Sequence, residues 1–507
     1  MRKVNFLYAN LYVIQYKTVK NGRFIYIKSN IEIGMNMIYI NIDNLDYYDD
    51  ANVLVKSFYP RSEVELKKPD TIVKEEDTVI FADTSHIAGS KKECHEQFKR
   101  KLYEHLVKQT KNVLPWGYLT GVRPSKIAYM MLEQQRSEEC IIDEFVKNHS
   151  VSEKKAKLAL QVASTEKTIL DKLDYKHGYS LYIGIPFCPT TCLYCSFTSY
   201  SITAFQSKVD DYIDALVKEM CYVAKAMSKR RLDTVYIGGG TPTSLEPVQL
   251  ERLLSTLECH FDMEHIKEFT VEAGRPDSIT LEKLEVLKKH GVQRISINPQ
   301  TMNDETLAVI GRKHNVASVT EAFDMARNVG FDNINMDIIL GLPGEGKKEV
   351  EQTLKRIYKL HPESLTVHSL AIKRAAALNI GRDKYANFRI ENSEELVSMA
   401  ADYAAMMGQK PYYMYRQKNM AGNLENVGYA IPAYECIYNI LIMEEKQTII
   451  AVGAGASSKV VLKEESQIER VENVKDVMSY IDRIDEMIAR KERFIKKYGV
   501  DLNGSNG

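Results

Sequence analysis

The chain has 507 residues, too many for a single hydrophobic core, so we expect two or three domains. Apolar residues make up 44% and charged residues 27% of the sequence, a balance typical of soluble globular proteins. Lys plus Arg equals Asp plus Glu at 68 each, which argues against a net field that would recruit nucleic acid or an anionic membrane. There is no signal-peptide pattern and no apolar run long enough to cross a bilayer, so we expect a cytoplasmic protein without a membrane span.

The first third of the sequence changes character once. Residues 1–90 are rich in Tyr, Ile and Val in alternating patterns, which predicts a β-rich N-terminal region. Residues 91–174 show helical periodicity and predict a helical region, interrupted by LPWGYLTGVRPSKI at 114–127. This stretch holds the only tryptophan, Trp116. It fits either a lid or hinge or, as we favour, an ordered connection.

Short apolar strands alternate with amphipathic helices between about 175 and 375. Six strand patterns occur in this span, from SLYIGIPF at 180–187 to SLTVHSL at 364–370. Strands separated by helices pair in parallel through right-handed crossovers, and a closed barrel needs eight of them. The pattern therefore predicts an α/β fold with an open, partial (β/α)6 barrel. Residues 376–507 mix strand and helix patterns and predict a C-terminal α+β domain.

Three of the eight cysteines lie in one short segment, PFCPTTCLYC. Cys188, Cys192 and Cys195 follow the first barrel strand, where parallel α/β folds carry their functional loops. A structural zinc site needs a fourth ligand, which the neighbouring sequence does not offer, whereas an iron–sulfur cubane with three thiolates leaves one iron open. Two alternatives remain: a zinc ion held by the three thiolates, or three thiols that bind no metal. Cys221 and Cys259 lie in helical patterns, and we expect both to be buried as small apolar side chains.

Glycines and isolated polar residues follow the later strands. A Gly triplet with a threonine, Gly238–Thr241, comes after the second strand and would let a backbone approach a ligand, although such triplets are more often tight turns. Glu272, Gln300 and Asp337 stand at the ends of three later strands. A lone carboxylate there is usually a cap or an ion-pair partner, but polar groups on consecutive strand ends could hold a ribose and a base. Arg312 could pair with a carboxylate.

The cysteine spacing C-x3-C-x-Y-C after the first strand of a partial barrel resembles that of the radical S-adenosylmethionine (SAM) enzymes. In that superfamily three cysteines hold a [4Fe–4S] cluster, and its open iron chelates the amino and carboxylate groups of SAM. The resemblance therefore implies that Cys188, Cys192 and Cys195 are cluster ligands. It also supplies the non-protein ligand that an open iron requires.

Five segments together resemble the oxygen-independent coproporphyrinogen III dehydrogenase family. They are LYIGIPFCPTTCLYCSF, YIGGGTPT, VEAGRPD, ISINPQTMNDETLAVIGRKH and NMDIILGLPGE, in order, within a resemblance that extends over about 180–460. Some members of the family hold a second SAM. By this resemblance the residues near one or two SAM molecules would be Tyr182, Tyr194, Gly239, Gly240, Thr241, Glu272, Gln300, Arg312, Asp337 and Ala371.

Two departures distinguish branches of this family. The best-known dehydrogenases carry a fourth cysteine where this chain has Phe197, and the haem-chaperone branch carries an H-N-x-x-Y-W motif. That motif is impossible here because the only tryptophan is Trp116. The N-terminal extension with LTGVRPSKI and the segment YRQKNMAGNLENVGYA resemble the HemZ-type branch most.

The resemblance implies haem biosynthesis: oxidative decarboxylation of coproporphyrinogen III propionates to vinyl groups by a 5′-deoxyadenosyl radical, forming protoporphyrinogen IX. The implied partners are a tetrapyrrole substrate and an electron donor such as flavodoxin or ferredoxin. Candidates for binding substrate carboxylates are Lys373, Arg374, Arg416 and Lys418, although for each of them we favour a solvated surface charge. The alternatives are a radical enzyme that methylates or opens haem, a haem chaperone, and a zinc- or cluster-binding regulator.

Overall fold

A computed structural model describes residues 16–18, 24–26, 37–59, 62–121, 123–195, 199–371, 392–417, 424–462 and 467–498. The described residues form two compact units, the first ending at Leu114 and the second beginning at Pro115. The finer division of the sequence into four regions, with boundaries near 90, 174 and 375, stays a prediction.

The first unit contains five strands and two α-helices in its described part. These are β1 (Tyr16–Thr18), β2 (Phe24–Tyr26), β3 (Met37–Ile42), α1 (Tyr48–Phe58), β4 (Glu63–Leu66), β5 (Thr78–Ala82) and α2 (Lys91–Thr110). Strands β1 and β2 pair antiparallel, whereas β3 lies between β4 and β5 and pairs in parallel with both. Parallel neighbours need a crossover connection, and α1 supplies the one from β3 to β4. The region predicted as β-rich therefore also contains a helix.

The second unit is built around a large sheet. Its strands are β6 (Gly178–Ile185), β7 (Phe187–Cys188), β8 (Tyr200–Ser201), β9 (Arg231–Gly239), β10 (Glu268–Glu272), β11 (Arg294–Ser296), β12 (Ile334–Leu340), β13 (Ser364–Ser369), β14 (Lys410–Tyr415), β15 (Asn426–Ala430), β16 (Thr448–Val452), β17 (Ser457–Val461) and β18 (Ile468–Glu472). Eleven of them form one sheet in the order β14-β15-β13-β12-β11-β10-β9-β6-β16-β17-β18, and β7 pairs with β8 alone.

Helices connect and cover these strands. They are α3 (Ser125–Glu133), α4 (Glu138–Asp143), α5 (Glu153–Leu170), α6 (Ile202–Phe205), α7 (Val209–Ala226), α8 (Pro247–His260), α9 (Leu281–Lys289), α10 (Asp304–Val309), α11 (Val316–Val329), α12 (Lys347–Leu360), α13 (Glu394–Met406), α14 (Ile437–Glu444), α15 (Val477–Asp482) and α16 (Ile484–Tyr498). No described helix combines the length and apolar composition that a membrane span requires.

The six predicted barrel strands are neighbours in chain order. Strands β6, β9, β10, β11, β12 and β13 pair in parallel, each with the next. Their sequences are nearly continuous apolar runs because helices cover a parallel sheet and bury its strands. The predicted α/β partial barrel is confirmed. Strands from the C-terminal part extend it at both edges, with β15 antiparallel to β13 and β16 parallel to β6.

Trp116 belongs to the second unit and is held there by buried contacts. The Trp116 side chain is fully buried, and its Nε1 donates to Glu425 Oε2 at 2.7 Å. Lys155 Nζ donates to the other oxygen of the same carboxylate at 2.6 Å. A buried carboxylate with two such donors fixes the connection to β15, so the interpretation as an ordered connection agrees with the structure.

Two details differ from the sequence predictions. Cys259 is exposed, so its predicted burial is wrong, because it lies beyond Leu257, the last buried position of α8. Cys221 is only partly buried.

Candidate functional site

The cysteine-containing loop, residues 188–195, begins where β6 ends. Strand β7 carries Cys188 and pairs with β8, which returns the chain towards the sheet. Two hydrogen bonds tie the loop to the segment after α10: Leu193 N donates to Ile310 O (3.0 Å) and Thr190 Oγ1 donates to Gly311 O (3.2 Å). The loop is thereby held at the carboxyl ends of the parallel strands, the edge on which α/β folds carry their sites.

The three thiols share this loop but differ in burial. Cys192 is buried, whereas Cys188 and Cys195 are partly exposed. The pKa of Cys188 is about 11: burial raises it most, a hydrogen bond from Thr241 Oγ1 to Sγ (3.4 Å) lowers it, and the neighbouring thiols raise it. Among the described residues, no three His, Cys, Asp or Glu side chains converge closely enough to hold one metal ion.

The glycine-rich segment after β9 packs directly on the start of the cysteine loop. Gly240 N donates to Ile185 O and Thr241 N donates to Phe187 O, both at 2.7 Å. A Cβ atom on Gly240 would lie 2.5 Å from Phe187 O, so only glycine fits this contact. The triplet therefore serves a close backbone approach and not only a turn.

A cavity of about 130 Å³ opens beside this contact. It is lined by the carboxyl ends of β6 and β9, including Tyr182 and Gly239, and by residues 454–456 after β16. Sequence reasoning did not assign the 454–456 segment to the site. Its signal was present as GAGAS after a strand pattern, but no local pattern predicts that this strand lies next to β6.

Three tyrosines stack beneath the site. The Tyr236 and Tyr438 ring centroids lie 4.6 Å apart, and Tyr182 lies 6.2 Å from the first and 6.3 Å from the second. The Tyr236 hydroxyl donates to Glu272 Oε1 at 2.6 Å. Glu268 accepts from Ile437 N at 2.6 Å and so fixes the start of α14, which carries Tyr438. The rings of Tyr236 and Tyr438 thus pack against Tyr182, and the Tyr236 hydroxyl orients the Glu272 carboxylate.

Buried polar atoms without hydrogen-bond partners occur at the end of β11 and in the segment that follows it. Gln300 has a φ of 66°, a left-handed conformation that costs energy in a residue other than glycine. Within the described part of the chain, Ser296 Oγ, Asn298 Oδ1, Gln300 Oε1 and Arg312 Nε are buried and make no hydrogen bond. Buried polar atoms are normally satisfied, so these four fit a polar ligand.

Arg312 connects this group to the cysteine loop. Its Nη1 donates to Asn298 O (2.5 Å) and its Nη2 to the Tyr194 hydroxyl (3.1 Å). Burial lowers the pKa of Arg312, but Tyr194 and Cys192 together raise it by more, so the net shift is upward. A permanently charged guanidinium therefore stands beside the thiols with its Nε donor unused.

Asp337 lies in the middle of the next strand, β12 (Ile334–Leu340), so its predicted place at a strand end is wrong. Burial raises the pKa of Asp337, but His368 and hydrogen bonds outweigh burial and hold it below its usual value. The contacts are His368 Nε2 at 3.7 Å and Asn335 Nδ2, which donates at 2.7 Å. Asp337 is therefore ionised and oriented. Ala371 follows β13 and is partly exposed.

The candidates for substrate carboxylates fall into two groups. Lys373, Arg374 and Lys418, like Phe197, lie outside the described residues. Arg416 is buried, so the favoured prediction that it is a solvated surface charge is wrong. Its Nη1 donates to Leu119 O at 2.5 Å, its guanidinium lies over the Trp116 ring, and burial lowers its pKa to about 10.

Arg275 is a site residue that the sequence analysis did not single out. It lies in VEAGRPD, three residues after Glu272, and its Nη1 donates to Cys192 Sγ at 3.4 Å. The available signal was a basic residue at a strand end that already carried a predicted site residue. Nothing in the local pattern indicates that it reaches the cysteine loop.

Comparisons with known proteins agree with this site. The model of the radical SAM superfamily matches residues 182–357. The oxygen-independent coproporphyrinogen-III oxidase-like protein HemZ of Bacillus subtilis (strain 168) is 40% identical over 438 residues, 84% of this chain and 86% of the relative. The heme chaperone HemW of the same organism is 40% identical over 195 residues, 38% of this chain and 51% of that protein.

The fold also matches a solved structure, coproporphyrinogen III oxidase (HemN) from Escherichia coli, described as a radical SAM enzyme. The TM-score is 0.50 at 24% identity, over 62% of this chain and 70% of that chain. Proteins of the radical SAM superfamily use a [4Fe–4S] cluster and SAM, which are the two predicted cofactors. The chain belongs to the radical SAM superfamily, in the HemZ-type branch of the oxygen-independent coproporphyrinogen III dehydrogenase family.

Proposed function

We propose that this protein is an enzyme of haem biosynthesis that converts two propionate side chains of coproporphyrinogen III to vinyl groups without oxygen. The observation that carries the proposal is an arrangement on one sheet: three thiols and a glycine segment that approaches them closely at one end, with polar groups on or after the next three strands. The substrate class is supported by the HemZ and HemN relatives, whose names refer to coproporphyrinogen III.

Each site residue has a proposed role. Cys188, Cys192 and Cys195 would bind three irons of the cluster, and the fourth would be left to the amino and carboxylate groups of SAM. Gly239, Gly240 and Thr241 would contact the methionyl part, for which their close backbone approach provides support. The residues proposed for the nucleoside and carboxylate of one or two SAM molecules are Tyr182, Tyr194, Glu272, Gln300, Arg312, Asp337 and Ala371.

When bound, the cluster and SAM would supply a 5′-deoxyadenosyl radical to take a hydrogen atom from the β-carbon of a propionate; loss of CO₂ and transfer of one electron to an electron acceptor would then leave the vinyl group. The protein's own contribution is orientation and exclusion of water, for which the buried strand ends are suited. Tyr236 would hold the Glu272 carboxylate in place, and the stacked rings of Tyr182 and Tyr438 would close the site from below. A flavodoxin or ferredoxin would deliver the electron that the cluster needs.

A haem chaperone is the second candidate. The observation in its favour is the 40% identity to HemW over 195 residues. The absence of the H-N-x-x-Y-W motif, which follows from Trp116 being the only tryptophan, weighs against it. A chaperone would bind haem without forming 5′-deoxyadenosine.

The test is an anaerobic assay of the reconstituted protein with reductant, SAM and coproporphyrinogen III, with products identified by mass spectrometry. We expect loss of two CO₂ per porphyrinogen together with formation of 5′-deoxyadenosine. A Cys192→Ala variant should lose both products, whereas Cys259→Ala, which changes an exposed cysteine outside the loop, should keep them. Formation of 5′-deoxyadenosine with an unchanged porphyrinogen would overturn the proposed substrate and direct the assay to haem.

A further inference from the structure

Arg275 uses every donor of its guanidinium, three at the cysteine loop and two at Asp277. Its Nη1 donates to Cys192 Sγ (3.4 Å) and Thr190 O (3.1 Å), and its Nη2 donates to Thr190 Oγ1 (3.0 Å). The remaining two donors reach Asp277, from Nε to Oδ1 (2.9 Å) and from Nη2 to Oδ2 (2.7 Å). Five donors with five acceptors fix the orientation of the planar group.

The surroundings keep the guanidinium in this position. Arg275 is 2% exposed, so water does not compete for its donors. Asp277 lies 3.6 Å from His314 Nδ1 as well, and contacts with His314 and Arg275 hold its pKa far below its usual value although burial alone would raise it. The Asp277 carboxylate is therefore ionised and anchors Arg275 from the side opposite to the sulfur.

We propose that Arg275 is a positioning residue that acts through Cys192 and raises the reduction potential of the cluster. The inference rests on the proposed role of Cys192 as a cluster ligand. Reduction adds a negative charge to the cluster, and a fixed cation beside a ligand sulfur stabilises that charge more than the oxidised state. Hydrogen bonds to sulfur and local charge are the means by which proteins set such potentials. The cluster would thereby accept an electron from a weaker reductant.

The experiment compares three variants of the full chain after anaerobic reconstitution. Arg275→Gln removes the positive charge. Arg275→Lys keeps the charge but loses the planar group with its five donors. Arg327→Gln is the matched control. Arg327 also pairs with a carboxylate through two contacts, to Glu363 at 2.7 and 2.9 Å, but it lies in α11, beside the starts of β12 and β13. Iron and sulfide analysis measures cluster loading, and a redox titration followed by electron paramagnetic resonance measures the potential.

We expect parent-like loading in all three variants. The potential should be more negative in Arg275→Gln, intermediate in Arg275→Lys and unchanged in Arg327→Gln. A parent-like potential in Arg275→Gln would overturn the inference, as would loss of the cluster in both Arg275 variants with folding preserved. If Arg275→Gln does not fold, Arg275→Lys decides by the same comparison. A parent protein that loads no cluster would contradict the proposed function instead.

Discussion

The titration of Glu272 gives a quantitative prediction for cofactor binding. Burial raises the pKa of Glu272 from its usual value, a hydrogen bond from the Tyr236 hydroxyl lowers it, and the charge of Asp337 raises it. The result is a pKa of about 7. We propose that SAM binds the ionised form, because a carboxylate accepts hydrogen bonds from both hydroxyls of a ribose.

The size of the effect follows from that pKa. If only ionised Glu272 binds the ribose, the apparent dissociation constant carries the factor 1 + 10^(pKa − pH), so SAM binding strengthens about tenfold between pH 6 and pH 8. A Glu272→Gln variant lacks this factor. A Tyr236→Phe variant loses the hydrogen bond that favours the ionised form, so the pKa of Glu272 rises and the strengthening moves to higher pH.

The assay is equilibrium dialysis of labelled SAM against the cluster-loaded parent and Glu272→Gln between pH 6 and pH 8. The ratio of the two dissociation constants cancels titrations that both proteins share, including that of the amino group of SAM. We expect this ratio, Glu272→Gln over parent, to rise about tenfold across the range. A ratio that stays constant with pH would contradict this prediction, because it would mean that Glu272 binds SAM equally well in both protonation states or does not bind it at all.

Two further predictions concern stability and loop geometry. Lys491→Met removes a buried cation that donates to Glu219 at 2.6 Å, so the free energy of unfolding in a urea titration should fall by about 3 kcal/mol. The control is Lys496→Met, which breaks an exposed ion pair on the same helix and should leave the free energy of unfolding unchanged. An equal loss of stability in both variants would contradict this prediction. Gly240→Ala forces the glycine segment away from the cysteine loop, so the amount of iron bound per chain after reconstitution should fall. Gly121→Ala is the control, because a Cβ atom at Gly121 meets nothing within 4 Å. Parent-like iron content in Gly240→Ala would show that the close approach is not required.

The barrel and the position of its cysteine loop were predictable because both follow from local patterns. Apolar runs alternating with amphipathic helices give parallel strands, and the thiols directly follow the first of them. Cys259 shows the limit of such patterns, since a helical period does not tell where along a helix burial stops.

The contacts that complete the site come from distant parts of the chain. Tyr438 stacks on Tyr182 across about half of the sequence, and β16 lies beside β6 although the two are separated by the whole barrel. The sequence patterns of α14 and β16 do not indicate which elements these two pack against. The contact of Arg275 with the cysteine loop was not predictable for the same reason, because its partner Cys192 is 83 residues away.

Every proposed role of this site requires that the three cysteines hold a cluster whose open iron binds SAM. The direct measurement is electron–nuclear double resonance on the reduced, reconstituted protein with SAM labelled with ¹⁵N at its amino group. We expect a ¹⁵N coupling to the cluster in the parent and loss of the cluster signal in Cys192→Ala. A parent protein with a full complement of iron and no ¹⁵N coupling would contradict it.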